Sequence, residues 1–342
     1  MNASLPLLRE VLDRCPPGTL LVADENCADL PFPELPGRPR VVSNRWEVAE
    51  RAAQAGLAAR FCDFDLSEGP PPRAVVFRIA KEKAVIHRVV NEAARVLAPG
   101  GRLWVLGGRR EGIDSLAKGL AARFGAPVAR LSARGWRALA FARPDSPVAP
   151  FDDRDYPRLR EIARVAGKPL LSKPGLFSWD RIDPGSALLA AQLPLFLAET
   201  GPAPRLLDLG CGTGYLALAA HALAPGCRVL ATDNCAAALL ACRENFLHHG
   251  VSGEVVASDC AAGLAGPFDL VLCNPPFHRG FSGRVASVER FVAAAARLLA
   301  PRGQALFVAN RFVPLARFAA RHARAVRELG EAGGYRLVAF RR

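Results

Sequence analysis

The chain repeats one pattern at an interval of about 200 residues, and this repeat constrains the possible folds more than any other feature. The stretch ARVLAPGG (94–101) returns as ARLLAPRG (296–303), at an offset of 202 residues. The stretch WRALAFAR (136–143) returns as YRLVAFRR (335–342), at an offset of 199 residues. Because two separate segments keep nearly the same offset, the sequence predicts a duplicated domain rather than one large barrel.

Each copy alternates short apolar runs with segments of helical spacing. This alternation is typical of βαβ units, so we predict an α/β fold with a parallel sheet covered on both faces. The predicted strands are 19–24, 39–44, 74–79, 102–107 and 137–142 in the first copy, and 205–210, 228–233, 254–259, 268–273, 304–309 and 335–340 in the second. The arginine-rich segment 315–329 is predicted to be a helix.

The two copies are separated by a segment rich in proline and acid, DSPVAPFDDRDYP (145–157), which is typical of a linker. We therefore expect a first domain over 1–146, a linker over 147–172 and a second domain over 173–342. A length of 342 residues suits two domains.

Composition narrows the class of protein. The net charge of +13 fits a polyanionic partner such as a nucleic acid, although a solvated basic surface explains it equally well. No apolar run reaches the roughly 18 residues of a membrane-spanning helix. The nine cysteines contain no C-x-x-C pair, so neither a disulfide framework nor a zinc site is predicted. We expect a cytoplasmic protein without a metal.

A glycine-rich loop follows the first strand of the second copy, in DLGCGTGY (208–215). Gly210, Gly212 and Gly214 let the backbone turn sharply and approach a ligand closely before a helix begins near Tyr215. The spacing G-x-G-x-G differs from the dinucleotide fingerprint, and Asp208 would repel a phosphate. An acid there suits a cationic group, such as the amino end of S-adenosylmethionine.

Two further aspartates end the next strands of this copy. Asp233 is placed to accept hydrogen bonds from the ribose hydroxyls of a nucleoside, and Asp259 to accept one from an adenine amine. Each aspartate alone could instead cap a helix. Three acids at successive strand ends after a glycine loop favour a ligand site, because ligands of open α/β sheets bind outside the carboxyl ends of the strands.

The fourth strand of this copy ends abruptly in Asn274, Pro275, Pro276, Phe277 and His278. The two prolines stop the strand, so the Asn274 amide oxygen and the Pro275 carbonyl can both accept from one planar amine. Phe277 offers a face on which the ring carrying that amine can stack. These three residues are the predicted catalytic set. His278 is a possible substrate contact or a loop histidine, and we assign it no proton transfer.

With these motifs the sequence resembles the class I S-adenosylmethionine-dependent methyltransferases, and within them the ribosomal RNA guanine-N2 methyltransferases of the "small" methyltransferase family. The resemblance also rests on KPGLFSWDRIDPGSALL (173–189) and VANRFVP (308–314). It implies two tandem Rossmann-like domains with seven-stranded, mostly parallel, doubly wound sheets, the first degenerate. It implies S-adenosylmethionine as cofactor, held by the glycine loop, the three aspartates and Asn274.

The same resemblance implies that Phe177, Asp183 and Ser186 contact the cofactor or the mouth of the site. It is strongest to the enzymes that act on 16S rRNA of the small subunit, so the expected reaction is methyl transfer to the N2 amine of a guanine there. We expect a monomer whose partner is ribosomal RNA and which contacts no membrane.

The first copy departs from the active pattern at both chemical positions. Its first strand runs into ADENCADL (23–30), without glycine, and FRIAKEK (77–83) replaces the asparagine-proline segment. We therefore expect it to bind no cofactor. Arg78, Lys81 and Lys83 could contact RNA phosphates, or this copy could serve as a scaffold for the other.

Four other functions remain open from the sequence. A 23S rRNA guanine-N2 methyltransferase would share the architecture and motifs. A protein glutamine methyltransferase could use the same acceptors, although its relatives carry tyrosine where Phe277 stands. DNA adenine methylation would call for a base-reading module that the sequence lacks. A silent RNA-binding factor would have no need of intact motifs.

Overall fold

A computed structural model describes residues 4–276 and 281–342, with the side chains of 281–286 left aside. The chain divides into two compact units, Met1–Pro157 and Arg158–Arg342.

The first unit contains a seven-stranded sheet with helices on both faces. Its strands are β1 (Leu20–Ala23), β2 (Arg40–Ser43), β3 (Ala59–Phe61), β4 (Ala74–Arg78), β5 (Arg102–Gly108), β6 (Ala129–Ala133) and β7 (Trp136–Ala142). Its helices are α1 (Leu5–Asp13), α2 (Trp46–Gln54), α3 (Lys83–Val96) and α4 (Ile113–Phe124). The sheet order is β3-β2-β1-β4-β5-β7-β6, with only β7 running antiparallel to its neighbours.

The second unit begins with a hairpin, β8 (Arg160–Val165) and β9 (Lys168–Ser172). Its sheet contains β10 (Arg205–Leu209), β11 (Arg228–Asp233), β12 (Glu254–Ala257), β13 (Phe268–Cys273), β14 (Leu299–Asn310), β15 (Ala325–Ala332) and β16 (Tyr335–Arg341). Its helices are α5 (Pro184–Ala190), α6 (Leu193–Ala198), α7 (Tyr215–Leu223), α8 (Ala236–His249), α9 (Phe281–Leu298) and α10 (Leu315–His322).

The second sheet has the order β12-β11-β10-β13-β14-β16-β15, which is the order of the first sheet element for element. This agreement confirms the α/β fold with two seven-stranded, mostly parallel sheets. The order reverses between β10 and β13, and such a switch point opens a crevice at the carboxyl edge of the sheet. The carboxyl edge of the second sheet is therefore where a ligand site belongs.

Alternating side chains explain why both sheets are buried. In β1, Leu20 and Val22 pack into the core on one face, and Leu21 and Ala23 pack into the core on the other. Because both faces of a strand in such a sheet are covered, its sequence is a continuous apolar run.

The structure differs from the expected linker over 147–172. Phe151 is buried against the first core, and its backbone N–H and C=O are hydrogen-bonded by the Asn91 side chain at 2.8 and 2.9 Å. Tyr156 is fully buried in the same core. Residues 160–172 form the hairpin of the second unit, whose Val165 and Leu170 enter its core. The proline and acidic residues indicate a segment without helices. Its apolar side chains, however, are packed into the two cores rather than exposed to solvent.

The expected helix over 315–329 is also corrected. Helix α10 ends at His322, and residues 325–332 form the edge strand β15, which pairs with β16. The hydrogen bonds of β15 come from a partner strand, so the local arginine-rich pattern could not indicate them.

None of the helices in the described residues combines the length and apolar character that crossing a bilayer requires. Within those residues, no three His, Cys, Asp or Glu side chains lie together as a metal-binding group would.

Candidate active site

The glycine loop lies between β10 and α7, at the switch point. The backbone N–H groups of Gly210 and Cys211 both donate to the Thr232 carbonyl of β11, at 2.8 and 3.0 Å, and fix the loop on the sheet. Gly214 has a φ of +80°, and a Cβ there would lie 2.7 Å from the Sγ of Cys242. Position 214 therefore has to be glycine for the backbone to pass so close to α8.

Gly212 serves a different purpose in the same loop. Its φ is +53°, and a Cβ at this position would meet nothing within 4 Å. Open space beside a left-handed glycine at the carboxyl edge of the sheet is a cradle that a ligand can approach closely.

Asp208 lies beneath this loop and is 1% exposed. Its Oδ2 accepts from the Ala217 N–H in the first turn of α7 at 3.1 Å, while its buried Oδ1 has no hydrogen-bond partner in the described structure. Burial, with a smaller contribution from the nearby Asp233 carboxylate, raises the pKa of Asp208 to about 7. An unsatisfied buried acceptor beside a ligand cradle favours a cationic ligand.

The Asp233 carboxylate is held by the loop that it faces. It accepts from the Gly212 N–H at 3.0 Å through Oδ2 and from the Cys235 N–H at 2.9 Å through Oδ1. These two backbone donors orient the carboxylate, and a carboxylate oxygen can accept more than one hydrogen bond, so Asp233 suits a hydroxyl donor.

Asp259 lies two residues beyond the end of β12 rather than on the strand. Its carboxylate accepts from the Arg290 guanidinium of α9. The contact between Asp259 and an adenine amine stays a prediction. In such a contact the amine and the Arg290 guanidinium would both donate to the Asp259 carboxylate.

The Asn274 amide is oriented by the segment that precedes α5. Its Nδ2 donates to Asp183 Oδ2 and to Ser186 Oγ, both at 2.8 Å. A carboxylate can only accept, so the NH₂ of Asn274 must face Asp183 and the amide oxygen must point the other way. Asp183 is itself fixed, because it caps α5 through the Ser186 N–H at 2.9 Å and accepts from the Tyr335 hydroxyl at 3.3 Å.

Pro275 is buried and Pro276 is exposed, immediately after β13. Within the described residues, 4–276 and 281–342, no backbone N–H donates to the Pro275 carbonyl. Phe277 and His278, to which the sequence assigned ring stacking and a loop contact, lie outside the described residues.

The remaining predicted contacts divide between the surface and the interior. Phe177 is 57% exposed, and Lys81 and Lys83 are exposed as well. Arg78, in contrast, lies in the interior, so the expected contact of Arg78 with an RNA phosphate is wrong. Its guanidinium is buried, pairs with Glu111 Oε1 at 2.6 Å and stacks on Trp136, 4.8 Å from the ring centre.

Two positioning residues escaped the sequence analysis. Asn245, fully buried in α8, accepts from the Leu171 N–H and donates to the carbonyls of Leu171 and Thr213, and so ties β9 to the glycine loop. Tyr335 reaches Asp183 from β16. For Asn245, the one local signal was an asparagine among apolar residues. For Tyr335 there was none, because its contact with Asp183 spans 152 residues of sequence.

The arrangement fits S-adenosylmethionine. Asp233 is oriented by the loop and faces the space beside Gly212, and the unpaired acceptor of Asp208 lies below. These residues would hold a nucleoside that carries a positive charge. A seven-stranded sheet of this order with this loop defines the class I S-adenosylmethionine-dependent methyltransferases.

Comparisons with known proteins identify the family within that class. The "Methyltransferase small domain" family matches residues 168–339. "Ribosomal RNA small subunit methyltransferase C" of Pseudomonas aeruginosa (strain LESB58) is 33% identical over 334 residues, which is 94% of this chain and 93% of that protein. The protein of that name from Ectopseudomonas mendocina is 32% identical over 92% of this chain and 94% of its own length. The chain belongs to the family of ribosomal RNA small subunit methyltransferase C.

A solved structure shares the fold over nearly the whole chain. It is the T. thermophilus 16S rRNA N2 G1207 methyltransferase in complex with AdoMet and guanosine, with a TM-score of 0.80 at 24% identity. The match covers 98% of this chain and 92% of that one.

Proposed function

We propose that the chain transfers a methyl group from S-adenosylmethionine to the exocyclic N2 amine of a guanine in 16S rRNA. The observation that carries this proposal is the orientation of Asn274. Both of its N–H donors are directed to Asp183 and Ser186, so the amide presents only an acceptor to a substrate. Such a group selects an amine over a carbonyl.

The role of the acceptor follows from the chemistry of an aryl amine. The lone pair of such a nitrogen is delocalised into the ring, and the nitrogen attacks a methyl group well only when it becomes pyramidal. The Asn274 oxygen, with the Pro275 carbonyl as the second acceptor, favours that geometry, which strengthens the interaction in the transition state. When bound, S-adenosylmethionine supplies an electrophilic methyl group on a sulfonium.

Asp233 and the glycine loop would hold the cofactor at the same edge of the sheet as the Asn274 acceptor, which would remove much of the entropic barrier to reaction. Transfer to the amine would form a nitrogen–carbon bond at the expense of the carbon–sulfur bond of the sulfonium, whose electron pair would stay on sulfur. The methylated amine then releases its extra proton to solvent.

We also propose that the guanine is presented within the small ribosomal subunit, in the cytoplasm, and that the enzyme acts as a monomer. The names of the curated relatives support a small-subunit substrate. Light scattering of the purified protein would report a mass near 36.5 kDa for a monomer. A mass of twice that value would contradict it.

Methyl transfer with tritiated cofactor tests the function. The protein would be offered 30S subunits, 50S subunits, naked rRNA and a release factor in parallel. Label in 16S rRNA, located at guanine N2 after nucleoside digestion, is the expected result. Label in 23S rRNA or in protein alone would refute the proposal, as would cofactor binding without any transfer.

A variant ties the transfer to the site. Asn274→Ala should abolish transfer while the cofactor affinity changes by no more than a few fold, because the amide faces the amine. Asn310→Ala is a matched control, since Asn310 lies at the end of a neighbouring strand and, among the described residues, its side chain accepts from the Phe312 N–H. A large loss of cofactor binding in Asn274→Ala would contradict the assigned role.

A further inference from the structure

A basic pocket lies at the carboxyl edge of the first sheet, outside the site described above. It has a volume of about 220 Å³ and lies between the turn that follows β5 and the β6–β7 hairpin. We define the arginine pocket by Arg109, Arg134, Trp136 and Arg137, which line it together with Ser132, Ala133 and Gly135.

Two of the three arginines of the arginine pocket are available to a ligand. Arg137 pairs with Asp114. Arg109 and Arg134 are exposed, and neither guanidinium has a hydrogen bond or an ion pair to any described residue. The nearby Glu111 is already engaged by Arg78 and by the Gly108 N–H at 2.9 Å. The carboxylates of this corner therefore do not neutralise the two open cations.

The arginine pocket corresponds by topology to the corner beside Asn274 in the second unit. The Arg109 N–H donates to the Gly135 carbonyl at 3.2 Å, and the Arg311 N–H donates in the same way to the Gly334 carbonyl at 2.9 Å. Trp136 begins β7 as Tyr335 begins β16, and Tyr335 is the residue that reaches Asp183. The same corner of the fold thus adjoins the predicted substrate amine in one unit and forms the arginine pocket in the other.

The first unit lacks the acceptor that methyl transfer needs, but it can still bind a ligand. Ile79 directly follows the end of β4, as Asn274 directly follows the end of β13. Ile79 is fully buried, and a Cβ on Gly107 would lie 2.5 Å from its Cδ1. An apolar side chain packed this tightly accepts no amine, whereas the arginine pocket at the same edge of the sheet is open.

Guanidinium groups recognise phosphate oxygens through paired hydrogen bonds, and contacts to phosphates position an RNA without reading its bases. Exposed Lys81 and Lys83 follow β4 at the same edge and extend the positive surface. We propose that the arginine pocket binds a backbone phosphodiester of the RNA substrate and thereby positions it. The proposal rests on the proposed function in that the substrate is RNA.

The test compares two double variants of the full-length chain. Arg109→Glu with Arg134→Glu reverses the charge of the arginine pocket. Arg73→Glu with Arg102→Glu makes the same charge change at the opposite, amino edge of the same sheet, where both residues are exposed. Binding to a labelled 16S rRNA transcript is measured between about 50 and 200 mM salt, beside methyl transfer at saturating RNA.

We expect the pocket variant to bind RNA at least about tenfold more weakly than wild type. The slope of log affinity against log salt should also become shallower by about one to two units, because a protein that has lost two phosphate contacts releases fewer counterions when it binds. The control should lose no more than about threefold, and kcat at saturating RNA should stay within about twofold for both. Equal losses in the two variants would assign the effect to overall charge and overturn the proposal.

Other outcomes are equally decisive. Unchanged transcript binding with weaker binding to assembled 30S subunits would assign the arginine pocket to an acidic protein surface and overturn the proposal. A wild-type protein that binds the transcript but methylates no RNA would refute the proposed function and leave the comparison of variants valid. If the glutamate variant fails to fold, as judged by its melting temperature, Arg109→Gln with Arg134→Gln gives the same comparison by removing the charges.

Discussion

At the scale of single residues, the orientation of one amide decides which substrates the site can accept. Asn274 could present either its oxygen or its nitrogen, and Asp183 fixes the choice because a carboxylate has no proton to donate. Ser186 adds a second acceptor but could also donate, so it does not impose the orientation by itself. We therefore assign the orientation to Asp183 and treat it as a positioning residue.

Asp183→Asn tests this assignment. Asparagine caps a helix about as well as aspartate, so α5 should stay folded, but it can face Asn274 with either end of its amide. We expect kcat to fall by about 100-fold while the cofactor Kd changes by no more than about threefold. Ser186→Ala, as control, should lower kcat by less than about tenfold. Equal losses in the two variants would show that orientation is not what Asp183 supplies.

A second prediction at this scale concerns pH. The pKa of Asp208 is raised to about 7 from an ordinary value of 3.8, mainly by burial, so the folded protein holds a proton that the unfolded chain releases. The stability that depends on this proton is complete below about pH 4 and is lost as pH rises through about 7.

Asp208→Asn removes this dependence. Relative to wild type, the variant should gain about 1 to 3 kcal/mol in free energy of unfolding between about pH 5 and pH 8. Asp24, whose pKa is raised to about 6 by burial, is present in both proteins and cancels. Denaturant titrations of both proteins at the two pH values measure the effect. A stability difference that is the same at both would contradict the assigned burial of charge.

At the scale of elements, two glycines of one loop have separate roles. A Cβ on Gly214 collides with Cys242, whereas a Cβ on Gly212 enters open space. Both residues have positive φ, so alanine strains the backbone at either position by about 1 kcal/mol.

Gly214→Ala should therefore destabilise the protein by about 2 to 4 kcal/mol, because the collision with α8 adds to the strain. Gly212→Ala should lower stability by only about 1 kcal/mol but weaken cofactor binding more than about tenfold, since its methyl group occupies the cradle. Thermal unfolding and cofactor titration separate the two effects. Equal loss of stability in both variants would argue against this division.

Apart from the edge strand β12, the strands that could be predicted from the sequence are largely buried on both faces. Their apolar runs stand out locally, and β11 and β13 have the predicted bounds. The edge strands β3, β6 and β15 were missed because few of their side chains are buried and their hydrogen bonds come from distant partners. Strand β14 begins five residues before its predicted start, where Leu299 pairs with Phe268 ahead of an irregularity in the register.

The site shows the same division. The glycine loop and the asparagine-proline segment are contiguous in sequence, so their chemistry could be predicted from their residue types. The contacts that orient Asn274 cross 91 and 88 residues, and only the resemblance to a family pointed to Asp183 and Ser186. The burial of Arg78 could not be predicted, because it depends on Glu111 and Trp136 from elsewhere in the chain.

At the scale of the whole molecule, one sheet order is present twice, but the groups that would hold a cofactor are present once. Val22 is the next-to-last residue of β1, as Asp208 is of β10, and Ser43 ends β2, as Asp233 ends β11. Neither supplies a carboxylate, and no glycine loop follows β1.

We therefore expect one equivalent of S-adenosylmethionine per chain. Isothermal titration of the full-length protein measures the stoichiometry directly. The variant Gly212→Ala should weaken the whole of the binding signal rather than half of it. A second equivalent of cofactor, or a residual signal of half the size in that variant, would show that the first unit binds cofactor as well.

The cluster formed by Arg78, Glu111 and Trp136 bears on the history of the duplicated gene. To regain activity, the first copy would need asparagine in place of Ile79, a glycine loop after β1 and an acid on β2. Asparagine at this fully buried position would lose apolar packing and add a polar group next to the Arg78 ion pair before any activity could return. The change at Ile79 alone would therefore lower stability without restoring activity, which disfavours a return to activity through single substitutions.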